Sequence, residues 1–114
     1  MMGEGDRVVV VTGIGGMGLA VARRLGPGSR LLLADVNGTT LGAAAEVLRA
    51  EGQQVVEQET DVSDADSVAA LASAALEMGR VDVLVHTAGF SALIVHPAGD
   101  EHGEPILVLT PIEP

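Results

Sequence analysis

Apolar runs and helix-spaced apolar positions alternate along the first ninety or so residues of the chain. Arg7 to Thr12 (RVVVVT) is a β-branched run ending at a glycine, and it predicts a buried strand. Met17, Ala20, Val21 and Leu25 then fall at helical spacing between Gly16 and Leu25, and Gly26-Pro27-Gly28 stops the pattern. Arg30 to Asp35 (RLLLAD) predicts a second strand. Asn37 is placed to cap a helix over Gly38 to Ala50, with Leu41, Ala45 and Leu48 on one face and Gly52 at its end. Gln54 to Thr60 predicts a third strand, whose mixed polarity suits a sheet edge. Ser63-Asp64-Ala65-Asp66 reads as a capping box with Asp in place of Glu, opening a helix that ends at Met78 before Gly79. Val81 to Val85 predicts a fourth strand.

This β-α-β-α-β-α-β order predicts an α/β fold in three layers: a parallel sheet of about four strands, order 3-2-1-4, with three helices and right-handed crossovers. Beyond Gly89 the pattern fails. Residues 90 to 105 hold Pro97, Gly99, Gly103 and Pro105 among Asp100, Glu101 and Glu104, and read as an acidic loop. Ile106 to Leu109 has the makings of one more short strand. The expected organisation is a domain over 1–91 and an irregular acidic, proline-containing tail over 92–114. An incomplete sheet of this kind leaves strand four with an open edge and half of one apolar face bare, so self-association is expected.

Composition narrows the function classes. The 114 residues are 47% hydrophobic with one Phe and no Trp or Tyr, so the core must be aliphatic, as in buried parallel strands. The absence of cysteine excludes disulfides, zinc–thiolate sites and a cysteine nucleophile. The net charge is -10, with six arginines and no lysine. Such a surface repels phosphate backbones and anionic lipid, which argues against nucleic acid and membrane partners. The start of the chain carries Glu4 and Asp6 before a short apolar run, unlike a signal peptide or a spanning segment, so a cytoplasmic location is expected.

Between the first strand and first helix lies Thr12-Gly13-Ile14-Gly15-Gly16-Met17-Gly18. Gly13, Gly15 and Gly18 satisfy G-x-G-x-x-G with a strand before and a helix after, the context in which the motif binds a dinucleotide. The first glycine permits the tight turn, the second lets backbone amides approach a pyrophosphate, and the third lets the helix pack close to the sheet. The helix N-terminus supplies the positive pole, so an acidic protein can hold a diphosphate without lysine. A P-loop is excluded, because it requires that lysine. Asp35, at the end of strand two and 20 positions beyond Gly15, is placed to accept the ribose hydroxyls of adenosine and to repel a 2′-phosphate. Val36 follows, with no arginine beside it, so NAD is favoured over NADP. The expected architecture is a Rossmann-like, doubly wound sheet, incomplete in this chain.

Three stretches together resemble the short-chain dehydrogenase/reductase family over about residues 7 to 91. Val11-Thr12-Gly13 and the following glycines are similar to its Thr-Gly opening, one residue tighter than the usual T-G-x-x-x-G-x-G. Asp61-Val62 resembles its acidic position after strand three, and Asp82 to Gly89 (DVLVHTAG) resembles D-x-L-V-N-N-A-G. The resemblance implies an oxidoreductase ancestry, with Gly13, Ile14, Gly15, Gly16, Met17 and Gly18 at the pyrophosphate and Asp35 and Val36 at the ribose. It further implies Asp61 and Val62 at adenine, and Ala88 and Gly89 at the nucleoside wall. His86 and Thr87 stand where the family has paired asparagines, so the work of those amides must be done otherwise. The family's catalytic Ser and Tyr-x-x-x-Lys are a deeper difference, since these residues include neither tyrosine nor lysine. The segment from Phe90 onward does not resemble the helix that should follow and reads as a divergent, truncated or out-of-frame end, so the expectation is a dinucleotide-binding half without independent catalysis. A non-catalytic nucleotide-sensing or protein-interaction module is the alternative, and a remnant without useful affinity a third.

Other candidate sites are weaker. His96, Asp100, His102 and Glu104 have metal-ligand chemistry but no zinc spacing, and read as a solvated loop. Ser91, His96 and Asp100 have hydrolase residue types without a nucleophile-elbow motif. His86 would end strand four near the crevice, where a structural role is the simpler reading.

Overall fold

A computed structural model describes residues 7–88, 91–99 and 105–112. The elements run β1 (Arg7–Thr12), α1 (Gly16–Leu25), β2 (Arg30–Asp35), α2 (Gly38–Ala50), β3 (Gln54–Glu59), α3 (Ala65–Met78), β4 (Arg80–Ala88), β5 (Ser91–Gly99) and β6 (Pro105–Ile112). They form a six-stranded sheet of order β3-β2-β1-β4-β5-β6. Strands β1 to β4 are mutually parallel, so the expected 3-2-1-4 order stands as the parallel part of the sheet.

Period-two alternation sorts the strand side chains onto two faces. Val9, Val11, Leu31 and Leu33 pack with Ile14, Ala22, Leu41, Ala44, Ala45 and Leu48, which seats α1 and α2 on one face. Val8, Val10, Leu32 and Ala34 pack with Leu71 and Ala75 of α3 on the other. Val8 to Val11 and Leu31 to Ala34 are almost wholly buried, because these central strands are covered on both faces. β3 is exposed at every position except the half-buried Val55 and Gln58, which suits an edge strand.

The helix termini differ in one respect that matters below. Asn37 caps α2, its side chain accepting from the amides of Thr39 and Thr40. Asp64 caps α3, accepting from the Asp66 amide. The cap of α3 is therefore Asp64 and not the Ser63 of a capping box: the Ser63 hydroxyl turns outward to Asp61 instead. The cap of α1 is Gly15, which has no side chain to offer.

The end of the chain corrects the expectation of an irregular tail. β5 runs antiparallel to β4, from Leu84↔Val95 to Ala88↔Ser91, and β6 runs antiparallel to β5. The edge of β4 expected to lie open is therefore paired, and the outer strands are β3 and β6. The prolines that suggested a loop sit where a strand tolerates them. Pro97 lies beyond the stretch paired with β4, and Pro105 lies on the edge strand β6, as does Pro111 farther along it.

Candidate functional site

The chain leaves β1 toward β2 on one side and returns from α3 to β4 on the other, so the strand order reverses beside β1. In a doubly wound sheet, ligands bind outside the carboxyl ends of the strands at such a point. The C-terminal ends of all four parallel strands meet there around a cleft of about 170 Å³, lined by Gly13, Ala34, Asp35, Val36, Thr60, Asp61, Val62, His86 and Thr87. Larger clefts lie at the opposite end of the sheet. Their arginines are committed to ion pairs with Glu51 and Glu57 and to the carbonyl oxygens of Met78 and Val55.

The glycine turn is built by two crossings of the sheet. The Gly13 amide donates to the Ala34 carbonyl oxygen at 2.8 Å, which ties the turn to β2. The Thr87 hydroxyl donates to the Gly13 carbonyl oxygen at 2.6 Å, with the Thr12 carbonyl oxygen at 3.1 Å, which ties it to β4. Gly13 has φ +80, and a Cβ there would lie 2.3 Å from the Thr87 hydroxyl oxygen. Gly18 packs as closely: its Cβ would lie 2.0 Å from the Gly13 carbonyl oxygen. Gly15 and Gly16 are different, because a Cβ on either would meet nothing within 4 Å.

The first amides of α1 have no partner within the helix. α1 has neither a capping side chain nor an acidic residue in its first turn, unlike α3, which has both. What α1 presents is a bare positive pole behind two exposed glycines, and this arrangement suits an anion.

Asp35 spans the turn and the next helix. Its Oδ2 accepts from the Ile14 amide at 2.7 Å and its Oδ1 from the Asn37 amide at 2.9 Å. The carboxylate is thereby oriented at the cleft wall, and each oxygen retains a lone pair for a further donor. The Thr60 amide donates to the Asp35 carbonyl oxygen at 3.0 Å, carrying β3 to the same place. Asp61, exposed, accepts from the Ser63 hydroxyl at 2.6 Å and the Ser63 amide at 2.9 Å, and these bonds hold its carboxyl below the usual range, the hydroxyl contributing most. Val36 and Val62 stand beside the two carboxylates as exposed apolar side chains, 70% and 54% accessible.

The structure thus gathers Gly13, Asp35, Val36, Asp61 and Val62 into one cleft, with Ile14 buried behind it and Gly15, Gly16, Met17 and Gly18 opening α1 beside it. Ala88 ends β4, Gly89 lies outside the described residues, and so do the side chains of Ser91, His96, Asp100, His102 and Glu104. No role was assigned from sequence to Thr12, Thr60 or Thr87. Thr12 carried a signal as part of the Thr-Gly opening and Thr87 as the replacement for a paired asparagine, whereas Thr60 carried none.

Comparison with known proteins bears on the family and the fold. The short chain dehydrogenase family model matches residues 7–103. Cis-4-hydroxycyclohexanecarboxylate dehydrogenase of Sinomonas cyclohexanicum is 45% identical over 97 residues, covering 79% of this chain and 38% of that protein. A short-chain dehydrogenase/reductase from Burkholderia phymatum, solved in complex with NAD, is 41% identical with a TM-score of 0.63, over 74% of this chain and 31% of that one. The actinorhodin polyketide ketoreductase solved with NADPH is 35% identical with a TM-score of 0.70, over 77% of this chain and 35% of that one. The chain therefore spans between 31% and 38% of the length of these relatives.

Proposed function

Since the chain belongs to the short-chain dehydrogenase family, we propose that its cleft binds a nicotinamide dinucleotide, and NAD(H) in preference to NADP(H). The observation that carries the reading is the uncapped N-terminus of α1 behind Gly15 and Gly16, beside a carboxylate held by two backbone amides. The open space over both glycines fits a pyrophosphate approaching the α1 amides. Asp35 accepts from ribose hydroxyls and disfavours a 2′-phosphate by like charge. Asp61 offers its remaining oxygen to the adenine amine, with Val36 and Val62 as apolar walls. The family resemblance assigns Ala88 and Gly89 to the nucleoside side as well. The dinucleotide, when bound, carries a hydride.

These residues bind and orient; acid/base chemistry must come from elsewhere. The 114 residues contain no tyrosine and no lysine to hold or deliver a proton in the family's manner. Among the described residues no helix is long and apolar enough to cross a membrane, and the proposed setting is cytoplasmic.

Titration with NADH, followed by the fluorescence of the ligand, tests the reading. Saturable binding that weakens at least about tenfold in Asp35→Ala is expected, with weaker binding of NADPH to the unaltered protein. No binding, or binding indifferent to Asp35→Ala, would refute it. Alcohol-dependent hydride transfer by these residues alone would overturn the division between binding and catalysis.

A further inference from the structure

His86 stands at the end of β4, in the register position beside Thr12 of β1. It lines the same cleft as Asp35 and Asp61. Its Nδ1 lies 2.6 Å from the Thr12 hydroxyl oxygen, and Thr12 is itself 4% accessible. A hydroxyl can either donate or accept, so this one contact accommodates both protonation states of the ring. Neutral His86 accepts the Thr12 proton at Nδ1. Protonated His86 donates from Nδ1, and Thr12 turns its lone pair inward. The imidazole can thus gain a proton without losing the bond that orients it.

Among the described residues, the charged groups around it carry one sign: Asp35 reaches the cleft from β2 and Asp61 from the segment after β3, and no arginine lines it. β1 brings only the Thr12 hydroxyl, and the register partner on β5 is Leu93. With an anionic ligand added, His86 is the only cleft side chain among those described that can become positive.

Resting on the dinucleotide reading above, we propose that His86 is a proton-linked binding residue for the dinucleotide, so that ligand binding takes up a proton and affinity rises as pH falls. The sign follows from linkage. A ligand of negative charge favours the protonated ring, and by reciprocity protonation favours the ligand. The alternative, a purely structural histidine, orients the strand end but leaves affinity independent of its charge.

The probe is ADP-ribose, which has the diphosphate and adenosine without the acid-labile reduced nicotinamide. Calorimetric titrations between about pH 5.5 and pH 8, in buffers of differing ionisation enthalpy, measure affinity and protons exchanged together. Affinity is expected to rise roughly five- to tenfold toward the acid limit, with net proton uptake on binding. His86→Gln, which keeps a hydrogen-bonding side chain but cannot titrate, is expected to flatten both. A pH dependence that persists in His86→Gln would overturn the proposal. Should that variant fold poorly, the ring proton signals of His86 in the unaltered protein decide instead: their titration midpoint must move upward when ADP-ribose is added, and an unmoved midpoint refutes the linkage. Absence of ADP-ribose binding at every pH refutes the underlying site as well, whereas binding without proton uptake refutes only the role of His86.

Discussion

Alanine at Gly15 and alanine at Gly18 add the same methyl group three residues apart, with opposite expected consequences. At Gly18 the new carbon would lie 2.0 Å from the Gly13 carbonyl oxygen and 3.0 Å from its carbonyl carbon. Both are backbone atoms of a turn tied to β2 and β4, so relief requires α1 or the turn to move by about 1 Å. Overpacking of this kind costs about 1–3 kcal/mol. For a domain of this size that lowers the melting midpoint by roughly 5–20 °C. At Gly15 the backbone is extended, φ -83 and ψ -165, a region open to alanine, and nothing lies within 4 Å of the new carbon. Alanine is a poorer cap than glycine by a few tenths of a kcal/mol, offset by about 0.4–1 kcal/mol from the stiffer unfolded chain. The net change in stability is near zero. The same methyl, however, occupies the path by which a pyrophosphate reaches the α1 amides, so dinucleotide affinity is expected to fall at least about tenfold. Thermal unfolding by circular dichroism and NADH titration separate the two effects. A Gly15→Ala variant that binds normally, or a Gly18→Ala variant that melts with the unaltered protein, would refute the assignment of one glycine to the ligand and the other to packing.

Thr87→Val removes the hydroxyl that ties the Gly13 and Thr12 carbonyl oxygens to β4, while keeping the shape; a loss of about 0.5–1.5 kcal/mol in urea unfolding is expected, with Thr87→Ser close to the unaltered protein. Leu32→Ala opens a cavity under α3 at a fully buried position and should cost about 2–5 kcal/mol, read from the same denaturation curves. Asp61 is held below the ordinary carboxylate range by Ser63, so whatever this bond adds to stability is present at neutral pH and is lost as pH falls through the lowered value. Ser63→Ala should move the Asp61 midpoint upward in a carboxyl-resolved NMR titration, and an unmoved midpoint would count against that cause.

The alternation of apolar runs with helix-spaced positions was enough to place β1 through β4 and the three helices, because each signal is local. Val8 to Val11 and Leu31 to Ala34 must be buried on both faces whatever lies around them, and a glycine or an Asn37 cap marks the ends. The residues proposed to bind were legible for a related reason: the glycine turn and Asp35 would answer to a ligand through backbone freedom and charge, which are properties of residue type and spacing. Contacts between distant segments were not legible. Thr87 and Thr12 are ordinary strand residues until parallel pairing sets β4 beside β1, and only then does one hydroxyl pin the turn and another meet His86. The β5–β6 pairing was hidden likewise, because Pro97, Pro105 and Pro111 break a strand or sit harmlessly at its margin according to which neighbours it has. Residue type sets what each segment can bury and bind; the tertiary structure alone decides which segments stand next to each other.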